Sequence, residues 1–170
     1  MAKKQKIKVI CNSSPIINLS KIKRLNLLEK LYQRVTIPNA VFEELVIKGR
    51  DKENLDDIKL LIENNVLMVE KASNTGLIKA LKKDLDDGEA EVIALAVETQ
   101  ADLVILDEKD ARDAAEIYDL KKIGFLGILI KAREKGLIES VRYFLDMAIE
   151  QGFWIDHDLY RQIIEDLNEG

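Results

Sequence analysis

Carboxylates recur in this chain where a strand end or a helix face would hold them out of bulk solvent. Asp107 ends the apolar run 103–106, and Glu108, Asp110 and Arg112 follow directly. Glu89 shares a helical stripe with Ile93, Ala96 and Val97 when residues advance by about 100° each. A carboxylate on an apolar stripe needs a cation or hydrogen-bond donors, because burying it alone is costly. Read more plainly, Glu89 is a first-turn acid satisfied by the helix dipole beside solvated Asp84, Asp86 and Asp87, and Asp110 is the N-cap of the helix it precedes. Glu43 and Glu44 flank the apolar face Val41, Phe42, Leu45 and Val46 on opposite sides, so periodicity does not choose between them. Asn12 follows the apolar run 7–11 with an amide oxygen at a strand end. Hard oxygen donors of this kind suit Mg²⁺ or Mn²⁺, which keep several waters and bind through a few carboxylates plus substrate phosphate. The chemistry that needs such a cluster is metal-assisted displacement at phosphorus.

The elements that must position these groups alternate. Strands are expected at 7–11, 35–37, 66–69, 103–106 and, more weakly, 122–124. Helices are expected to open at Pro15 after the Asn12-Ser13-Ser14 cap and to span 38–48, 55–64, 74–84, 88–98, 110–118, 126–135, 139–151 and 158–167. Near-continuously apolar strands alternating with helices imply an α/β fold with a parallel sheet covered on both faces. In such sheets ligands bind beyond the carboxyl ends of the strands, near a topological switch point. That singles out Asn12 and Asp107.

Composition sets outer bounds. A chain of 170 residues, 47% hydrophobic and 34% charged, has material for one domain spanning 1–170, with a flexible basic tail at 1–6 and a helical extension at 138–170. No apolar stretch approaches the roughly 20 residues of a membrane span, and no secretory signal is expected after Lys3, Lys4, Lys6 and Lys8. A lone cysteine, Cys11, excludes an internal disulfide and a zinc cluster, and a cytoplasmic setting is expected. The net charge of −5 argues against nucleic-acid binding by overall field, though not against a local site whose acids are offset by bound cations. No G-x-G-x-x-G or P-loop run favours a nucleotide-binding protein.

Cys11, in a core strand, and His157, in a polar turn, read as structural rather than as a nucleophile and its base. Lys109, Arg112, Lys131 and Arg133 flank the candidate site in sequence and read either as guides for a phosphate-bearing substrate or as ordinary surface charge. The cluster Phe153, Trp154 and Ile155 reads as docking the terminal helix, with base or partner binding as the alternative.

Five segments in order, ICNSSPIINLSKIKRLNLL, VTIPNAVFEELV, LDDGEAEVIALA, ADLVILDEKDAR and IGFLGILIKAREKGLI, resemble the successive motifs of a PIN-like domain, near the VapC-type toxin ribonucleases. The resemblance implies a three-layer α/β/α sandwich around a parallel sheet of about five strands. It implies a Mg²⁺- or Mn²⁺-dependent phosphodiesterase acting on RNA, with Glu44, Glu89 and Asp107 as catalytic acids and Asn12, Glu44, Glu89, Asp107 and Asp110 as the metal-binding set. Ser14, Lys109 and Arg112 are the expected substrate contacts. A homodimer and a small antitoxin partner are further implications. At the first acidic position of the family pattern this chain carries Asn12, which keeps an oxygen donor and removes one negative charge. The alternative is therefore a catalytically weakened PIN-like module that binds RNA or a protein partner.

Overall fold

The computed structural model describes residues 6–49 and 52–170, so Lys3 and Lys4 of the expected tail lie outside the described residues. Five strands, β1 (Val9–Cys11), β2 (Val35–Pro38), β3 (Leu67–Glu70), β4 (Leu103–Ile105) and β5 (Lys122–Ile123), form one sheet. The order is β3-β2-β1-β4-β5 and every pairing is parallel. Ile10, Ile37, Val104 and Ile105 have no exposed surface, as strands covered on both faces require. The first strand starts two residues later than its apolar run, at Val9, because Ile7 is half exposed and the Lys8 N–H turns to the Asp102 carboxylate.

Helices close both faces. They are α1 (Ser13–Lys21), α2 (Asn26–Tyr32), α3 (Asn39–Phe42), α4 (Leu55–Glu63), α5 (Thr75–Leu81), α6 (Asp87–Thr99), α7 (Lys109–Ile117), α8 (Phe125–Glu134), α9 (Val141–Glu150) and α10 (His157–Asp166). α6 crosses β1, β2 and β4 with α3, α5 and α7 against it, while α8 gathers α1, α2 and α9. The result is the expected three-layer α/β/α sandwich. Among the described residues no helix is long and apolar enough to cross a membrane.

Three details differ from the expectation. Pro38 is the last residue of β2 and the extended N-cap of α3, not a first helical residue. The expected helix 38–48 changes winding after Phe42 into a π-helical turn, Glu43–Ile47. The stretch after Lys21 holds a separate helix, α2, which buries Leu27, Leu28 and Tyr32.

The chain builds β1, β2 and β3 outward, then returns through α6 to lay β4 on the other side of β1. Cys11 pairs with Ile105, so the carboxyl ends of β1 and β4 lie side by side at the point where the strand order reverses. Asn12 and Asp107 leave the sheet there.

Candidate functional site

Asn12 is held by its backbone. Its N–H donates to the Ile105 carbonyl at 3.0 Å, and its extended φ and ψ of −81° and 170° make it the N-cap of α1. Asparagine at that position ordinarily accepts a helix N–H through its side chain. Here it does not, and Oδ1 is buried without a protein partner. Such an oxygen costs about 1–3 kcal/mol unless something else satisfies it. What it faces is set by Gly88: a Cβ there would stand 3.2 Å from Asn12 Oδ1 and 2.8 Å from Glu44 Oε1. The two oxygens thus flank one point, kept open by the absence of a side chain on α6. Glu44 is fixed from the other side by the buried Ser13, whose hydroxyl donates to Oε2 at 2.6 Å. The π turn directs Glu44 toward Asn12 and leaves Glu43 exposed.

Glu89 lies one residue further along α6, a helix buried over most of its circumference. It forms a capping box with Asp86: the Glu89 N–H donates to Asp86 Oδ1 at 2.8 Å and the Asp86 N–H to Glu89 Oε2 at 3.1 Å. The plain first-turn reading of Glu89 is therefore realised, yet the side chain also lines a cleft of about 480 Å³ with Asn12, Asp86, Glu108 and Asp110. Burial pushes the Glu89 carboxyl above its ordinary range; the Asp86 N–H pulls it back, and the Asp86, Glu108 and Asp110 carboxylates push it up again. Ser14 and Lys109 complete the rim, Ser14 donating to Glu108 at 3.1 Å and Lys109 to Asp113 at 2.7 Å. The N-cap of α7 is Glu108, not Asp110, which stands exposed in the first turn.

Asp107 is placed differently. Its Oδ1 accepts the Phe125 N–H at 2.7 Å, at the N-terminus of α8, and its Oδ2 accepts from Asn18 at 3.3 Å. Gly124 permits this approach, since a Cβ there would lie 2.8 Å from Oδ1. Burial raises the Asp107 carboxyl, against the lowering pull of the Phe125 N–H and Asn18. Asp107 and Arg112 line an adjacent groove that shares only Ser14 and Glu108 with the acidic cleft. Among the expected site residues, the structure thus gathers Asn12, Ser14, Glu89, Lys109 and Asp110 on one cleft, sets Glu44 against Asn12 at Gly88, and puts Asp107 and Arg112 next door.

Among the described residues no three His, Cys, Asp or Glu side chains group closely enough to hold a metal by themselves. The donors still fit a hydrated Mg²⁺ or Mn²⁺: the orphaned Asn12 oxygen beside Glu44, with Glu89 and Asp110 near, is an all-oxygen set for an ion that takes few protein ligands.

Sequence reasoning gave no site role to Ser13, read as a cap, to Asp86, read as solvated, or to Glu108, and did not single out Asn18. Asn18 was findable, because it lies one turn beyond Ser14 on the same face of α1. Cys11 is structural as expected: fully buried, it donates to the Asn12 carbonyl at 3.2 Å, and burial followed by the Asp107 charge pushes its thiol well above the ordinary value. His157 opens α10 against Arg161. Lys131 lies over the Tyr32 ring and Arg133 donates to the Leu167 carbonyl, so both serve packing around α8.

Residues 8–169 match the model of the family DUF3368, described as a PIN domain. No curated protein matches the chain.

Proposed function

The chain belongs to the PIN-domain family, a nuclease-type fold, and from that premise we propose that it is a metal-dependent phosphodiesterase, an endoribonuclease of the VapC-toxin kind. The observation that carries the reading is the buried Asn12 oxygen that declines its capping role and faces Glu44 across Gly88, beside an acid-lined cleft. Asn12, Glu44 and Glu89 would hold Mg²⁺ or Mn²⁺, with Asp110 alongside. When bound, the cation supplies Lewis acidity toward a phosphate oxygen and neutralises charge on the leaving group. Ser13 fixes the orientation of Glu44. Glu89, its carboxyl raised by burial and by neighbouring acids, would accept a proton from water. Ser14, Lys109 and Arg112 lie where they can meet substrate phosphates. Asp107, pinned by Phe125 and Asn18, sets the charge between cleft and groove. A homodimer and a small antitoxin partner belong to the same reading; co-expression with a neighbouring small gene and mass measurement of the product check both.

A second reading is favoured by the neutral Asn12 and by the spread of the acids: a PIN-like module that binds RNA or a protein without cutting. The deciding experiment is cleavage of a mixed RNA panel by purified protein with Mn²⁺ or with chelator, beside Glu44→Gln and Asn12→Asp variants. Metal-dependent cleavage that Glu44→Gln abolishes and Asn12→Asp raises supports the nuclease. An inert wild type with an active Asn12→Asp variant supports the second reading. Cleavage by neither sinks the catalytic assignment.

A further inference from the structure

Beside the acidic cleft runs a second groove of about 890 Å³, with Ser14, Asp107 and Glu108 where the two adjoin. Lys21, Arg112 and Lys122, the last 3.6 Å from Glu116, bring cations to it among the acids Asp107, Glu108 and Asp156. Its far wall is the link between α9 and α10, and that link is pinned on both sides of Trp154. Gln151 Nε2 donates to the Lys21 carbonyl at 2.8 Å, tying the link to α1. Gly152, at φ +102°, turns the chain back. Phe153 then packs edge-to-face on Phe125 with ring centroids 5.0 Å apart. Beyond it Asp156 caps α10, accepting the Asp158 and Leu159 N–H groups. The docking role expected for the aromatic cluster therefore falls to Phe153 and Ile155, while Trp154 stands 79% exposed on the groove wall. An indole held out between two pinned points, on a groove that Lys21, Arg112 and Lys122 also line, has the makings of a stacking platform: bases stack on it and cations hold the phosphates between them.

We infer that this groove seats an unpaired strand of nucleic acid, one base stacked on Trp154 and flanking phosphates on Lys21, Arg112 and Lys122. The inference rests on the phosphodiesterase reading for the direction of the strand, past Asp107 into the cleft, and it narrows the substrate to unpaired segments. Bases inside a duplex are already stacked and present no free face to an indole.

Trp154 is the only tryptophan, so its fluorescence reports the event directly. The full chain is titrated in chelator, where cleavage does not interfere, with single-stranded RNA of about 12 nucleotides, the same sequence as DNA, and its duplex. Single-stranded RNA should quench the fluorescence saturably, single-stranded DNA in like manner, and the duplex hardly at all. With dye-labelled RNA read by anisotropy, Trp154→Ala should weaken binding roughly tenfold while Trp154→Phe retains most of it. Arg112→Gln should weaken binding and flatten its salt dependence. RNA that binds without quenching and equally well to Trp154→Ala, a duplex that quenches as strongly, or no RNA binding at all would overturn the inference. Cleavage in Mn²⁺ without quenching leaves the phosphodiesterase standing and removes this groove from its substrate path; quenching without cleavage does the reverse.

Discussion

An uncharged amide at Asn12 and a buried carboxyl at Glu89 set the charge of the candidate site between them, and each can be changed with little change of shape. The Glu89 carboxyl is raised by burial, so the native chain keeps that proton to higher pH than the unfolded chain does. In that window the native state binds more protons, and stability falls as pH rises from the unfolded value, about 4.3, through the folded one. The deficit is absent below the window and complete above it. Glu89→Gln keeps an oxygen for the Asp86 N–H and removes the buried charge. In chelator its melting temperature should exceed that of the wild type at pH 8 and match it near pH 4, while Mn²⁺-dependent cleavage is lost. Cleavage at the wild-type rate would leave Glu89 only its capping role. Tyr32 offers a control remote from the chemistry. Its hydroxyl is buried without a partner and its pKa is pushed up to about 12, first by burial. The unfolded chain ionises near pH 10 and the native chain near 12, so stability is whole below pH 10 and is lost between the two values. Against Tyr32→Phe, denaturant unfolding should show the wild type losing roughly 2–3 kcal/mol over that range. Parallel curves for the two proteins would show that the phenol ionises alike in both states.

α6 joins fold to site because its first turn carries Asp86, Gly88 and Glu89 while the rest of it lies buried against the sheet. Gly88→Ala should gain about 0.5–1 kcal/mol of helix stability. The added Cβ would sit 2.8 Å from Glu44 Oε1, the end of a flexible side chain, so the carboxylate moves and the backbone stays. Unchanged circular dichroism and a melting temperature at or slightly above that of the wild type, with Mn²⁺ affinity and cleavage down tenfold or more, is the expected result; undiminished Mn²⁺ affinity would remove the Asn12–Glu44 pair from the metal site. This arrangement was only partly legible beforehand. The runs 35–37 and 103–106 announced strands by their β-branched residues, and a parallel sheet then put Asn12 and Asp107 at its carboxyl edge. α2 went unread because its N-cap, Leu25, has helical backbone angles and no side-chain cap to announce it. The π turn at Glu43–Ile47 buries Leu45 just as an α turn would, so nothing in the apolar spacing betrays it, although it decides between Glu43 and Glu44. Asn18 shares a helix face with Ser14, as local pattern shows, but its meeting with Asp107 across 89 residues of chain is created by the sheet order.

For the molecule as a whole, the strand order brings β1 and β4 together, so the candidate metal donors from β1, α3's π extension, α6 and α7 converge only in the folded chain. A cation bound there stabilises the native state alone, and the gain follows from occupancy. At a hundredfold excess over its dissociation constant, Mn²⁺ should add about 2.7 kcal/mol and raise the melting temperature by roughly 5–10 °C for a chain of this size. The pH dependence has a definite sign. Burial raises the carboxyl of Glu89, so acid protonates it earlier than an ordinary carboxylate, and a protonated carboxyl gives up its charge toward a cation. The Mn²⁺-induced shift should therefore be large at pH 8 and shrink toward zero as pH falls to about 4. Asn12→Asp restores a charge beside Glu44, and should lower stability in chelator by crowding the acids and enlarge the Mn²⁺ shift. Melting curves of the two proteins at both pH values, with Mn²⁺ and with chelator, measure all of this without any RNA. No shift in the wild type beside a clear shift in Asn12→Asp would mean that this chain keeps the fold of a nuclease around a site tuned away from metal, and RNA binding in the Trp154 groove would then be its activity.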